Sequence, residues 1–443
     1  MIPEQREALD EIIVKIRAGR ITRRTFLERA IALGLTSTVA GSLLEACGGG
    51  TSQSSGPVNL VWQSEQEPTG TYKKLADSFN SSQKDVHVTW LQGPASTTDF
   101  LQKLTTMLRA RSHSIDVMSI DIVYPAEFAA NQWTVPIDDK WPTSERSNYL
   151  SGPIEGNTYN GKIWAGPLRT DLGLIYYRSD LVKTPPNTWD DMTTMAQQAM
   201  SKSKYGYVWQ GAQYEGLVCD FVEVLYGYGG TVLDPNDPKK VTVNSPEAVQ
   251  ALTKMVGWVG TISPDAVTTY MEDTARNVWQ QGNSVFMRNW PYAYQLGNDA
   301  SQSKIAGKFD IHGMLYGGSN TTGHSAIGGW NLAINAFTPN PDAAWKFVHY
   351  MLQADAQKSL AVDASLTPTL KTTYQDPDVQ TKQPLFTKLA PILENAVPRP
   401  VSPVYPDLSN AIQLHIYQAL KKQVSPQAAL SALASDLQGM VSK

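Results

Sequence analysis

The chain has 443 residues, with 37 Lys and Arg against 41 Asp and Glu and a formal net charge of −4. An acidic balance without basic clusters excludes a nucleic-acid binder, and two cysteines exclude a disulfide scaffold. Charged residues are sparse at 18%, whereas the 12 Trp and 19 Tyr are plentiful. Many of those rings must be core, and the ones in short polar loops need another explanation.

The N-terminal stretch carries paired arginines, Arg23 and Arg24, then a weakly apolar run from Ala30 to Ala46. That run is too short and too polar for a membrane span, which needs about 20 apolar residues. A basic segment before a modest apolar core reads as an export signal, and the paired arginines favour the twin-arginine route. "LLEAC" resembles a bacterial lipobox with Cys47 as the first mature residue, although Glu45 stands where that pattern prefers a small or apolar residue. Residues 1–46 are therefore read as a signal peptide and 47–56, rich in Gly, Ser and Thr, as a flexible tether. Each buried CH₂ of an acyl chain adds about 0.8 kcal/mol of membrane affinity, and two chains on Cys47 would anchor the protein firmly. The localisation implied is export and lipid anchoring at the outer face of the bacterial cell membrane.

After the tether, "PVNLVW" predicts a strand, "TGTYKKLADSFNSS" a helix, "VHVTW" a second strand, "TTDFLQKLTTMLRAR" a helix and "IDVMSID" a third strand. This alternation predicts a parallel α/β sheet. Loops at the carboxyl ends of such strands build ligand sites, here "WQSEQEPTG", "LQGPASTTD" and "IDIVYPAEF". "LGLIYYRSDLV" predicts one long strand, and helices dominate from Thr188 to about Met271. "NSVFMRNWPYAY" predicts a strand running into an aromatic loop, and "FDIHGMLYG" and "AIGGWNLAIN" two more strands. The C-terminal third is mainly helical, broken by "AVPRPVSPVYPDLS". Strands early and late with helices between them predict two discontinuous lobes: 57–166 with about 305–338, and 167–304 with about 339–443. Trp62, Trp90, Trp258, Trp279 and Trp345 lie in strand or helix patterns and read as core, as does Cys219 in "GLVCDFVEVL".

No nucleophile elbow, P-loop or EF-hand loop occurs, and "GYGGTV" fails the dinucleotide fingerprint at Val232. The six histidines show no i, i+4 pair, so no metal and no cofactor are expected. Asp121, Glu127 and Asp171 offer the paired carboxyls that a glycosidase would need.

The same residues suit sugar binding. Vicinal hydroxyls match the acceptor-only oxygens of a carboxylate, C–H faces stack on Trp or Tyr, and arginine supplies donors in fixed geometry. Asp121 closes "MSID", Asp171 opens "DLGLIYYR", Trp290 lies in "MRNWPYAY", Trp330 follows two glycines, and Arg399 lies between two prolines. Leader, tether, "DVMSIDIVYPAEF", "GLIYYRSDLV", "FMRNWPYAY", "GGWNLAIN" and "AVPRPVSPVYPDLS" together resemble an extracellular solute-binding lipoprotein of the ABC sugar importers, in the trehalose/maltose branch. The resemblance implies an α/β, two-lobed periplasmic-binding-protein-like fold with discontinuous lobes joined by a hinge. It implies Asp121 and Asp171 on sugar hydroxyls, Trp290 and Trp330 as stacking rings, Gly329 giving backbone access, and Arg399 on one glucose unit. It places an acid on the first loop, Glu65 in preference to Glu67, with Gln92 and Tyr124 as secondary candidates. Arg169 stands where that branch often has an aromatic residue. The implied function is capture of a glucose-containing disaccharide or short oligosaccharide by a monomer, and delivery to an ABC permease without any chemical step. A membrane-anchored glycoside hydrolase using Asp121 and Asp171 is the alternative.

Overall fold

The computed structural model describes residues 56–442 apart from 394, 401 and 403, together with Ile12, Lys15, Thr25 and Phe26. Arg23, Arg24, Glu45, Cys47 and the tether up to Ser55 lie outside the described residues. Residues 1–57 and 58–443 are separate units, and the second carries everything that follows.

Fourteen strands are named in chain order among the described residues. They are β1 (Val58–Ser64), β2 (Val86–Gln92), β3 (Val117–Asp121), β4 (Thr158–Tyr159), β5 (Lys162–Ile163), β6 (Gly166–Leu172) and β7 (Leu174–Tyr177). There follow β8 (Tyr205–Val208), β9 (Leu233–Asp234), β10 (Asp237–Val241), β11 (Ser284–Asn289), β12 (Asp310–His312), β13 (Ile327–Ile334) and β14 (Thr367–Pro368). One sheet has six strands in the order β14-β6-β13-β3-β1-β2, and another has four in the order β12-β7-β11-β8. β1 runs parallel to β2 and β3, while β13 lies antiparallel between β3 and β6.

Local sequence explains the elements. β3 is buried at all five positions, as a central strand covered on both faces must be. β2 buries Val86 and Val88 and exposes His87 and Thr89, the alternation of a strand with one wet face. Helix α1 (Thr71–Ser82) buries Tyr72, Leu75, Ala76 and Phe79, one stripe at helical spacing. Helix α2 (Thr97–Arg109) starts where the Ser96 side chain accepts from the Asp99 N–H, and Asp99 sits favourably in its first turn.

"LGLIYYRSDLV" is not one strand. It breaks at Gly173, which separates β6 in the six-stranded sheet from β7 in the four-stranded one. A Cβ at Gly173 would collide with the Glu223 carboxylate and the Arg288 guanidinium. The chain returns through residues 313–326, and the two crossings are tied together: the Ser325 hydroxyl donates to the Gly173 carbonyl at 2.8 Å, and Gly173 N–H donates to the Ala326 carbonyl at 3.3 Å.

The lobe boundaries differ from those expected. β12 stays with the four-stranded sheet, so the return lies after His312 rather than near 305. The helices Pro341–Leu352 and Ala354–Ala364 bury Phe347, Val348, Met351, Leu352 and Leu360 with Leu60, Trp62 and Leu332 of the six-stranded sheet. The third crossing therefore follows β14 rather than residue 338. An apolar helix stripe declares that it is covered, not which sheet covers it. Of the tryptophans read as core, Trp62, Trp258 and Trp279 are buried, and Trp90 and Trp345 pack half-buried on the core of the six-stranded sheet. Cys219 is a buried free thiol pushed up by burial.

Candidate functional site: a cleft lined by acids and indoles

Strand register brings the first set of side chains together. Trp330 on β13 lies opposite Asp121 on β3 and opposite Arg169 on β6. Two residues earlier, Gly328 lies opposite Asp171. The loop after β1 adds Glu65 and Glu67, the end of β11 adds Trp290, and the first residue of helix α3 (Glu215–Gly227) adds its carboxylate. Arg399 comes from the Pro-rich segment before helix Tyr405–Leu420. All seven principal candidates, Glu65, Asp121, Asp171, Trp290, Gly329, Trp330 and Arg399, line one cavity.

Gln92 and Tyr124 do not join them. Gln92 ends an edge strand and is exposed. Tyr124 is buried between the rings of Phe128 and Tyr405, at 6.5 and 6.1 Å between centroids. A loop position next to a strand end cannot tell a side chain aimed into the cleft from one aimed beneath it.

The acids divide by what is left of their oxygens. Glu65 accepts at Oε1 from Tyr72 Oη (2.8 Å) and Arg169 Nη2 (3.1 Å), while its buried Oε2 has no protein partner. Burial pushes its carboxyl up against the pull of Arg169. Glu67 lines the cavity too, but its Oε1 accepts from Thr69 N at 2.7 Å and its Oε2 from Tyr72 N at 3.1 Å. It closes the turn into α1, which leaves Glu65 as the acid with an acceptor to spare. Asp171 is ion-paired with Arg169, and its Oδ1 has no protein partner.

Asp121 is ion-paired with Arg399, whose Nη1 also donates to Glu215 Oε1 at 2.7 Å. Glu215 further accepts from Tyr405 Oη and Ser409 Oγ. Burial raises its carboxyl against the opposing charge of Arg399. Arg399 thus gives both terminal nitrogens to protein acids, and only Nε is without a partner. The bond from Glu215 N to Thr98 Oγ1 (3.0 Å) ties the starts of α3 and α2 beside it.

The rings are held as firmly. Trp290 donates from Nε1 to Glu272 Oε1 at 3.2 Å, and the Arg288 guanidinium lies 3.9 Å from its ring centre. Burial raises the Glu272 carboxyl. Trp330 is only 7% exposed and packs on Phe100. Gly329 has φ +146°, and a Cβ there would stand 2.7 Å from the Arg169 carbonyl. Gly329→Ala is expected to cost roughly 1–3 kcal/mol, visible as a lower Tm in a calorimetric melt.

Glu215, Glu272, Asp273 and Tyr292 line the cleft without having been singled out from sequence. Glu215, Glu272 and Asp273 open helices, where an acid reads as a partner of the helix dipole. Their role in the wall depends on the second sheet facing the first. Glu127 lies outside the cleft lining. Burial, with Asp407 adding to it against Arg109, pushes Glu127 up to about 7. Its folded value stands above the ordinary value of roughly 4.3, so it contributes stability at low pH that is lost as pH rises through about 7. Glu127→Gln is expected to raise Tm at pH 8 and to leave it nearly unchanged at pH 4, read in paired melts.

Among the described residues no helix is long and apolar enough to cross a membrane, and no group of three His, Cys, Asp or Glu side chains could hold a metal ion. Two facing sheets joined by crossing strands, with a polar and aromatic cleft between them, define a binding protein of the periplasmic α/β class. Residues 62–358 match the family model described as bacterial extracellular solute-binding protein. A protein of Deinococcus radiodurans named probable ABC transporter-binding protein is 40% identical over 380 residues, spanning 82% of this chain and 89% of that one. The maltose-bound structure of T. maritima MalE3 superposes with a TM-score of 0.83 at 36% identity, covering 86% of this chain and 100% of that chain. The maltotriose-binding protein of Pyrococcus abyssi is 22% identical over 82% of this chain and 77% of that one. The chain belongs to the bacterial extracellular solute-binding proteins, the substrate-binding components of ABC transporters.

Proposed function

We propose that the cleft captures a glucose-containing disaccharide or short oligosaccharide of the maltose or trehalose type, closes on it about the paired crossings at Gly173 and Ser325–Ala326, and delivers it unaltered to a membrane permease. The observation that carries this reading is the pairing of buried acceptors lacking donors, Glu65 Oε2 and Asp171 Oδ1, with two indole rings in one cavity. Sugar hydroxyls supply those donors, and sugar C–H faces suit the rings. The maltose bound to MalE3 supports the same sugar class. Contacts from both sheets favour the closed state only through their differential affinity for it.

A hydrolase is disfavoured by the same geometry. Asp121 and Asp171 are each committed to an arginine, and Glu127 is outside the cleft.

A thermal-shift panel of maltose, trehalose and maltotriose tests the reading. A ligand at a hundred times its Kd adds about 2.7 kcal/mol to apparent stability. No shift with any sugar rejects it, and release of glucose from an intact disaccharide replaces it with the hydrolase. Trp330→Ala and Asp171→Ala are expected to weaken binding at least tenfold, about 1.4 kcal/mol, by titration calorimetry. We further propose lipid attachment at Cys47. Cys47→Ala should then move the protein from the membrane to the soluble fraction.

A further inference from the structure

Arg169 and Asp171 are two apart on β6, so both side chains lie on one face of the strand. Arg169 is 8% exposed. Its Nε donates to Tyr72 Oη at 3.1 Å, its Nη2 to Glu65 Oε1 at 3.1 Å, and it is ion-paired with Asp171. One guanidinium therefore sits between two carboxylates, one from its own strand and one from the loop after β1. Each carboxylate keeps one buried oxygen without a protein donor.

We propose that Arg169 is the positioning residue that sets ligand specificity: it clamps Glu65 and Asp171 so that Glu65 Oε2 and Asp171 Oδ1 present a fixed pair of acceptors to two hydroxyls of a neutral sugar. This rests on the sugar-binding reading. The guanidinium fork fixes both acids in orientation, which a point charge cannot do. It also neutralises them. Without it, two adjacent buried carboxylates repel, and burial, which already raises Glu65 against the pull of Arg169, is opposed only by hydrogen bonds from Tyr72 and the backbone. A ligand bearing its own carboxylate meets the same two acids and is rejected.

The other charged and titratable groups facing this set are few. Glu67 and Tyr72 belong to the same side. Tyr292, Glu272, Asp273 and Arg276 come from the opposite wall, where Arg276 pairs with Asp273 at 2.9 Å. None of them offers Glu65 or Asp171 a second cation within ion-pair distance among the described residues.

The test uses Arg169→Met and Arg169→Lys in the full chain. Without sugar, the methionine variant has a Tm deficit against wild type that shrinks by at least half between pH 8 and pH 5. Acids raised in the folded state lose stability as pH rises, and protonation relieves them. A packing defect would be independent of pH. With maltose or trehalose, Arg169→Met binds at least tenfold more weakly than wild type by calorimetry. Arg169→Lys restores the wild-type pH behaviour but not the affinity. Unchanged affinity in the methionine variant, or a deficit equal at both pH values, overturns the assignment. A wild-type protein that binds no sugar while the pH-dependent deficit persists rejects the sugar reading and supports the clamp.

Discussion

Arg288→Met is expected to destabilise the protein by about 3–5 kcal/mol, the cost of removing one partner from a buried ion pair. Arg288 is fully buried. It donates from Nη2 to Glu223 Oε1 at 2.6 Å, from Nε to Glu223 Oε2 at 2.8 Å, and from Nη1 to Gln210 Oε1 at 3.1 Å, with Asp220 Oδ1 3.0 Å from Nε. Methionine fills similar space, so the loss is electrostatic and leaves Glu223 and Asp220 buried without their cation. Asp220 is already raised by burial against the pull of Arg288, and removing the cation favours its protonation further. The deficit in urea unfolding is therefore expected to be larger at pH 8 than at pH 5. A loss below about 1 kcal/mol would show that the acids find other partners.

The same variant should also weaken ligand binding. Glu223 Oε1 accepts from Ala326 N at 3.1 Å, at the crossing tied to Gly173, and Arg288 lies under the Trp290 ring. One ion pair thus fixes both the backbone of the crossing and the Trp290 ring in the cleft. A double-mutant cycle between Arg288→Met and Trp290→Ala, read as sugar affinity, is the measure of that coupling.

Sequence reasoning reached the cleft through residues whose neighbours restrict their backbone. Arg399 between prolines and Asp121 at the end of a short strand are loop or strand-end positions by local chemistry alone, whereas Trp330 after two glycines lies inside β13. The α/β pattern of residues 57–121 was equally legible, because its helices and strands follow their own periods. What the pattern could not carry was partnership. Gly173 looked like a residue within one strand, since the apolar run continues through it, and only Glu223 and Arg288 pressing on it explain the break. The Pro341–Leu352 stripe fits either sheet. Tyr124 and Glu215 illustrate the same limit in opposite directions: an aromatic beside the site that turned inward, and a helix-opening acid that turned into the wall.

Arg399→Met is expected to reduce sugar affinity by at least a hundredfold, and the reason differs from that for Arg288. Arg399 is 2% exposed and joins Asp121, at the end of β3, to Glu215, at the start of α3. β3 belongs to the six-stranded sheet, while Phe221, Val222 and Leu225 of α3 pack in the core beside the four-stranded one. The arginine is therefore a bond across the cleft. Removing it leaves two acids facing each other in the closed form, but opening the cleft returns both to water. The variant escapes the penalty by opening rather than by unfolding. A penalty of about 3 kcal/mol on the closed state lowers apparent affinity roughly a hundredfold, because ligand must then recover that difference. The melting temperature without sugar should fall much less than for Arg288→Met, and the radius of gyration from solution X-ray scattering should rise towards that of an open form. Wild-type affinity, or a Tm loss as large as that of Arg288→Met with no expansion, would show that Arg399 holds one lobe together instead of joining two.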